Sequence, residues 1–266
     1  MALVSSTRKM DMTADQPAPE TTGRLEVDGA GLAWRKVAGR GPVVVWLGGF
    51  HSDMSGTKAQ ALADWAVARG RAFLRFDYFG HGQSDGDFAV GTITRWRSDV
   101  LAVLDALAPG EVVLVGSSMG GWLACLATLA RPERVKGLVL IAPAADFTER
   151  LLKPSLPPEA LAALARDGVW TRPSVYDGDG YPISAALLED GARWSILGAP
   201  VPITAPVRIL QGGADPDVPW RHALELAQAI VHDDVVFTLI RDGDHRLSRP
   251  ADIGRLIATV EELVDP

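Results

Sequence analysis

The chain has 266 residues, 47% of them hydrophobic and 22% charged, the ordinary balance of a globular protein, with room for one large α/β domain or two small ones. A net charge of −7 argues against a nucleic-acid partner, whose phosphates demand a basic face, and no apolar run approaches the ~20 residues that span a bilayer. One cysteine, Cys125, excludes an internal disulfide, fits a reducing cytoplasm and reads as a small buried residue.

Met1 to Gly23 mixes Arg8, Lys9, Asp11, Asp15 and Glu20 with two prolines and has no continuous apolar core. It therefore reads as a disordered tail rather than a secretory signal. Its first nine residues are basic and free of acids, which allows an organelle-targeting reading beside the cytoplasmic one. From Arg24 the sequence alternates strand-like and helix-like segments. Leu25 to Asp28 and Leu32 to Val37 flank the turn Gly29-Ala30-Gly31, and Val43 to Leu47 is a buried strand. Lys58 to Ala68 repeats apolar residues at helical spacing and stops at Gly70. Ala72 to Phe76 follows as a strand, then Ile93 to Leu107 as an amphipathic helix. Strand Val112 to Val115, helix Gly121 to Ala130 and strand Val135 to Ile141 continue the alternation.

Repeated strand–helix–strand units imply a parallel sheet covered on both faces. The rhythm breaks after Pro143 and resumes with strand Val207 to Gln211, helix Trp220 to Val231, strand Val235 to Ile240 and helix Ala251 to Val264. The intervening residues, 146–206, contain helix-like Pro158 to Arg166, turn-rich Asp177 to Gly180 and helix-like Ile183 to Trp194. About sixty residues is too long for a plain loop. The expected organisation is a core over 24–145 and 207–266 with a cap inserted at 146–206, above the strand ends where open α/β sheets bind ligands.

Gly116-Ser117-Ser118-Met119-Gly120 lies between a strand and a helix. That context turns a Gly-x-Ser-x-Gly into a nucleophile elbow, with small residues two before and two after the exposed serine; the alternative is an ordinary Gly/Ser turn. A serine needs a base and an orienting acid. Of five histidines, His245 alone follows the last strand and is the candidate base. Asp215, first beyond Gly212-Gly213-Ala214, is the favoured acid, with Asp217 a rival and Asp244 a weaker one. Oxyanion donors are expected from the N–H groups of Met119 and Phe50, although Phe50 also suits a pocket wall. Trp170, Tyr176, Tyr181 and Trp194 give the insertion an aromatic character, either acyl-lining or packed in its own core. No Cys/His cluster has zinc-like spacing, so neither metal nor cofactor is expected.

These features together resemble the α/β-hydrolase superfamily, as does Asp77-Tyr78-Phe79-Gly80-His81-Gly82-Gln83-Ser84, which is similar to a D-x-x-G-x-G-x-S segment after the fourth strand of the fold. Ser52 to Ala59, Gly116 to Trp122, Asp215 to Trp220 and Asp244-His245-Arg246 further resemble the mitochondrial palmitoyl-protein thioesterases of the abhydrolase group, also described as acyl-glucuronide esterases. The resemblance implies a mostly parallel eight-stranded sheet and Ser118, Asp215 and His245 as a triad. It implies a serine hydrolase for esters or thioesters of an apolar acyl group, acting on a small-molecule or S-acylated substrate without a cofactor. A carbon–carbon bond hydrolase with the same triad, or a non-turnover ligand receptor on the same scaffold, is the alternative.

Overall fold

The computed structural model describes residues 20–173 and 180–265. In chain order the core contains β1 (Thr21–Val27), β2 (Ala30–Val37), β3 (Arg40–Leu47), α1 (Thr57–Arg69), β4 (Arg71–Phe76), α2 (Ile93–Leu107), β5 (Val112–Ser117), α3 (Met119–Ala130) and β6 (Val135–Ile141). Between β6 and the resumption of the core lie α4 (Pro158–Asp167), β7 (Val169–Arg172), β8 (Tyr181–Ser184) and α5 (Ala185–Ala192). The core ends with β9 (Val207–Gly212), α6 (Trp220–Ala229), β10 (Val235–Ile240) and α7 (Pro250–Val264).

Eight strands form one sheet in the order β1-β2-β4-β3-β5-β6-β9-β10. The β1–β2 and β2–β4 pairs are antiparallel and the others parallel. Along β5, Val112 and Leu114 face one helix layer while Val113 and Val115 face the other, the period-two consequence of a pleated strand buried on both sides. The first layer brings Trp96 and Val100 of α2, Trp122 of α3 and Leu226 of α6 onto the sheet. The second brings Leu62 and Trp65 of α1 together with Leu256 and Val260 of α7. As the sequence indicates, Gly70 ends α1 in the left-handed conformation, φ 61°.

Several boundaries shift by a few residues, and two of the shifts have a visible cause. β1 starts at Thr21, ahead of Leu25, because Glu20 is pinned by the buried Arg75 guanidinium through bonds of 2.8 and 2.7 Å. A guanidinium without solvent needs its counter-ion close, which holds residues 20–23 in place. The helix-like stretch from Ile183 starts late: Ile183 and Ser184 are extended and pair antiparallel with Trp170 and Val169. Ser184 then caps α5, its Oγ accepting from the Leu187 N–H at 3.1 Å, the usual task of serine at that position. Most of the turn-rich stretch Asp177 to Gly180 lies outside the described residues.

The 146–206 segment has its own small apolar cluster, Leu152, Leu164, Ile183 and Leu188. Polar ties fix its two ends. The Asp146 carboxylate accepts from the N–H groups of Ile196 and Leu197 at 2.8 to 3.0 Å, and Asp190 accepts from the N–H and hydroxyl of Thr94 on α2, both at 2.7 Å.

Candidate active site

The turn from β5 into α3 is dictated by contact between backbones. Ser118 takes φ 55° and ψ −118°, a region sparsely populated by residues other than glycine and held only where the surroundings over-determine it. Its N–H donates to the Ile141 carbonyl at 2.9 Å, and its own carbonyl accepts from Gly121 and Ala144. A Cβ on Gly116 would lie 2.3 Å from the Gly120 carbonyl oxygen, and one on Gly120 would lie 2.1 Å from that of Leu47. The ordinary Gly/Ser-turn alternative does not describe this geometry: both glycines are required for β3, β5 and α3 to approach as they do.

His245 reaches Ser118 from the loop after β10. Its Nε2 stands 3.2 Å from Ser118 Oγ and its Nδ1 2.8 Å from Asp215 Oδ2. With Nδ1–H donating to the carboxylate, Nε2 is left to accept the serine proton, the tautomer that this network requires. The glycines before Asp215 let the two loops meet, since a Cβ on Gly212 would lie 2.5 Å from the carbonyl oxygens of Gly243 and Asp244. Asp215 has a fully buried carboxylate. Its Oδ1 accepts from the N–H groups of Asp217 and Val218, both at 2.9 Å, while Gln211 Nε2 donates to Oδ2 at 3.2 Å.

The other two aspartates have different partners. Asp217 supplies a backbone donor to Asp215, and the Asp244 carboxylate accepts from the Leu247 N–H at 2.9 Å. Asp215, Asp217 and His245 also bring three possible metal-ligand atoms within 4.8 Å, the one such group among the described residues. A cation there would compete with the two N–H groups and the imidazole that already use Asp215.

Ser118, His245, Met119 and Phe50 open onto a cavity of about 590 Å³, within the usual range for small-molecule sites. Its walls are mixed: Ala144, Phe147, Leu151, Leu152, Ile183 and Val218 are apolar, while His51, Ser155, Arg172, Tyr181, Asp217 and Arg246 add polarity. Phe50 is a hub, its ring 4.8 Å from that of Phe88 and 5.5 Å from those of Phe147 and Tyr181. It is therefore a wall residue, and its backbone lies on the loop facing the elbow, where a Cβ on Gly49 would be 3.4 Å from Ser118 Cβ.

Of the three described aromatic residues singled out in the insertion, Trp170, Tyr181 and Trp194, Tyr181 alone is among the cavity's lining residues. Trp170 packs against the segment's own apolar cluster. The Trp194 indole N–H donates to Thr94 Oγ1 at 2.7 Å, and Arg97 lies 4.4 Å from its ring centroid. Neither lines this cavity: both rings are half-buried, and the packing alternative that the sequence leaves open describes them, with an acceptor for the Trp194 N–H found away from the cavity. Tyr176 lies outside the described residues. Phe147, Leu151 and Leu152 escaped the sequence because they sit in and beside a single wide helical turn, Thr148–Leu152, too short for a periodic signal.

The two remaining buried histidines are structural. Burial pushes the His81 imidazole down to about 4, and it is neutral, accepting from the His51 N–H at 3.3 Å with Nδ1 3.1 Å from the Phe79 carbonyl. His222 is likewise lowered by burial and bonds the Ala145 carbonyl at 2.8 Å. Burial raises the Cys125 thiol to about 12, leaving it without a thiolate to react.

This architecture and site define a hydrolase with the α/β-hydrolase fold. The chain belongs to the Hydrolase_4 family, described as serine aminopeptidase, S33, which matches residues 40–176. It is 42% identical over 235 residues to mouse (Mus musculus) mitochondrial palmitoyl-protein thioesterase ABHD10, covering 88% of this chain and 79% of that protein. Among solved structures it is similar to a putative hydrolase from Agrobacterium vitis S4, with a TM-score of 0.89, 43% identity and coverage of 93% of this chain and 100% of the other. It is also similar to mouse alpha/beta hydrolase domain-containing protein 10, with a TM-score of 0.84, 40% identity and coverage of 92% and 98%. The chain is accordingly an enzyme, a hydrolase of ester or thioester bonds. Among the described residues no helix is long and apolar enough to cross a membrane.

Proposed function

We propose that this enzyme cleaves esters or thioesters of an apolar acid through Ser118, His245 and Asp215, by way of an acyl-enzyme. The observation that carries this reading is the run of contacts from Asp215 to His245 to Ser118, 2.8 and 3.2 Å long, at the wall of a cavity with an apolar side formed by Phe147, Leu151, Leu152 and Ile183. His245 Nε2 takes the Ser118 proton as Oγ attacks the acyl carbon. Asp215 holds the imidazolium, and the Met119 and Phe50 N–H groups bind the oxyanion. Collapse of the tetrahedral adduct breaks the bond to the leaving oxygen or sulfur, which receives the proton from His245. Water, deprotonated by His245, then attacks the acyl-enzyme; its collapse returns the proton to Ser118 and frees the acid.

Residues 146–206 act in this reading as a cap, with Phe147, Leu152 and Tyr181 against the acyl group. The similarity to a palmitoyl-protein thioesterase supports a long acyl chain on sulfur as one substrate class. The single buried thiol supports a reducing compartment. The location in the relatives' name is theirs, and imaging the tagged full chain decides between cytoplasm and organelle. Ser118→Ala is expected to abolish both p-nitrophenyl ester turnover and labelling by a fluorophosphonate probe. Undiminished labelling of that variant would sink the assignment. A panel of acyl thioesters of graded length then reads the depth of the acyl pocket.

A further inference from the structure

The sheet ends in β1 on one side and β10 on the other, and the two edges are built differently. β1 has Arg24 and Glu26 among its exposed residues, charges that discourage a further strand from pairing there. β10 reads Val235-Val236-Phe237-Thr238-Leu239-Ile240, without a charge, a proline or a glycine. It pairs with β9 along its whole length with no shift of register, so no bulge turns the edge away. Val236 and Leu239 are 45% and 46% exposed. An apolar edge of this kind is a template for another strand.

The main chain fixes how that strand would pair. The Val207 N–H donates to the Asp234 carbonyl, and the Gly213 N–H to that of Ile240. Even-numbered residues therefore turn their polar groups toward β9, and Val235, Phe237 and Leu239 turn theirs outward. The Val235 N–H is taken by the Asp233 carbonyl at 3.1 Å; those of Phe237 and Leu239 have no acceptor among the described residues. A two-fold axis perpendicular to the sheet lays a second β10 alongside, antiparallel, and sets residues of equal parity opposite one another. Centred on Phe237, it joins outward groups to outward groups. Phe237 exchanges N–H and carbonyl bonds with its own copy, and each Leu239 N–H donates to the Val235 carbonyl of the second copy.

The same register sets Asp233 opposite Arg241 of the second copy, on both sides of the axis. Both residues are exposed, and among the described residues neither has an ion pair within the chain. Their neighbours Asp234 and Asp242 are already taken, by Arg208 and Arg249. An apolar strand with an acid before it and a base after it is complementary to itself only when the second copy runs the other way.

We infer that the protein is a homodimer joined edge to edge through β10, about a two-fold axis at Phe237, so that the two sheets continue as one. The inference goes beyond the hydrolase reading and does not depend on it.

Sedimentation velocity over about 1 to 100 μM, the range of ordinary reversible association, should show a dimer. Val236→Lys with Leu239→Lys gives this edge the protection that β1 has, and should raise the dissociation constant about a hundredfold or more. A native circular-dichroism spectrum shows that the double variant is folded. Amide hydrogen exchange over 235–240 should be slow in wild type and quicken in that variant, while β9 stays protected. Arg241→Asp opposes like charges and should weaken the dimer about tenfold or more. Adding Asp233→Arg reverses both partners and should bring it back to within about threefold; this pair decides the matter if the lysine variant does not fold. A wild type that stays monomeric at about 100 μM would overturn the inference, also where the edge proves to bind a peptide of another protein. A dimer that survives the lysines, or one that the reversed charge pair does not restore, is joined elsewhere and overturns it equally.

Discussion

Around Ser118 the chain is held by main chain against main chain: β3, β5, β6 and α3 meet so closely that a methyl group at Gly116 or Gly120 has no room. The 146–206 segment is built otherwise. It has four buried residues in its own cluster, a two-stranded sheet of four residues per strand, and two carboxylates, Asp146 closing the segment on itself and Asp190 tying it to α2. The contrast shows where tolerance lies. Steric closure at the elbow fixes reacting atoms to a fraction of an ångström, the precision that proximity and preorganisation require. A cavity wall made of side chains needs only to be roughly in place.

The largest test of this contrast is Asp215→Asn. Loss of the carboxylate leaves His245 free to take the wrong tautomer, and kcat should fall on the order of 10⁴-fold with the melting temperature little altered. Pre-steady-state measurement of acyl-enzyme formation reads it; a fall under tenfold would break the relay. Next is Gly120→Ala, whose methyl meets the Leu47 and Gly48 carbonyls. It should cost about 3 kcal/mol or more in urea unfolding and remove activity with it. Normal stability would mean that the elbow has slack.

Acid provides a third test. His81 is neutral in the fold, lowered to about 4 from 6.5. Between those values the unfolded chain binds more protons, so stability is full above pH 6.5 and declines as pH falls through 4, by about 3 kcal/mol at most. His81→Gln should flatten that slope in urea titrations from pH 7 to 4; an unchanged slope would assign the acid loss to other groups, His222 first. The smallest effect is expected in the insertion. Asp190→Ala leaves the Thr94 N–H without its carboxylate and should cost about 1–2 kcal/mol. Hydrogen exchange should quicken within 146–206 and at the start of α2 while β5 and β6 stay protected. Equal quickening in the central strands would erase the distinction between the two regions.

The same contrast sets what the sequence discloses. Gly116, Ser118 and Gly120 are legible because sterics leave few residues able to make the turn. Asp215 and His245 are legible because each follows a strand end that the alternation locates. In the insertion these constraints are absent. Trp170 and Trp194 are large and apolar in composition, yet which side they face depends on tertiary contacts such as Thr94 and Arg97, far away in the chain. The β7–β8 pair was missed because four-residue strands that pair only with each other carry little period-two signal.

Most of the insertion closes on itself, since one carboxylate, Asp146, binds the N–H groups of both Ile196 and Leu197. The core therefore sees this stretch of chain as a closed loop entering and leaving at a single point. Loop-closure entropy changes only slowly with loop length, so a longer, shorter or foreign sequence can be spliced between those positions at small cost to the sheet below. If this stretch chooses the acyl group, as proposed, chimaeras joined at 146 and 196 would keep the chemistry of one parent and take the substrate range of the other.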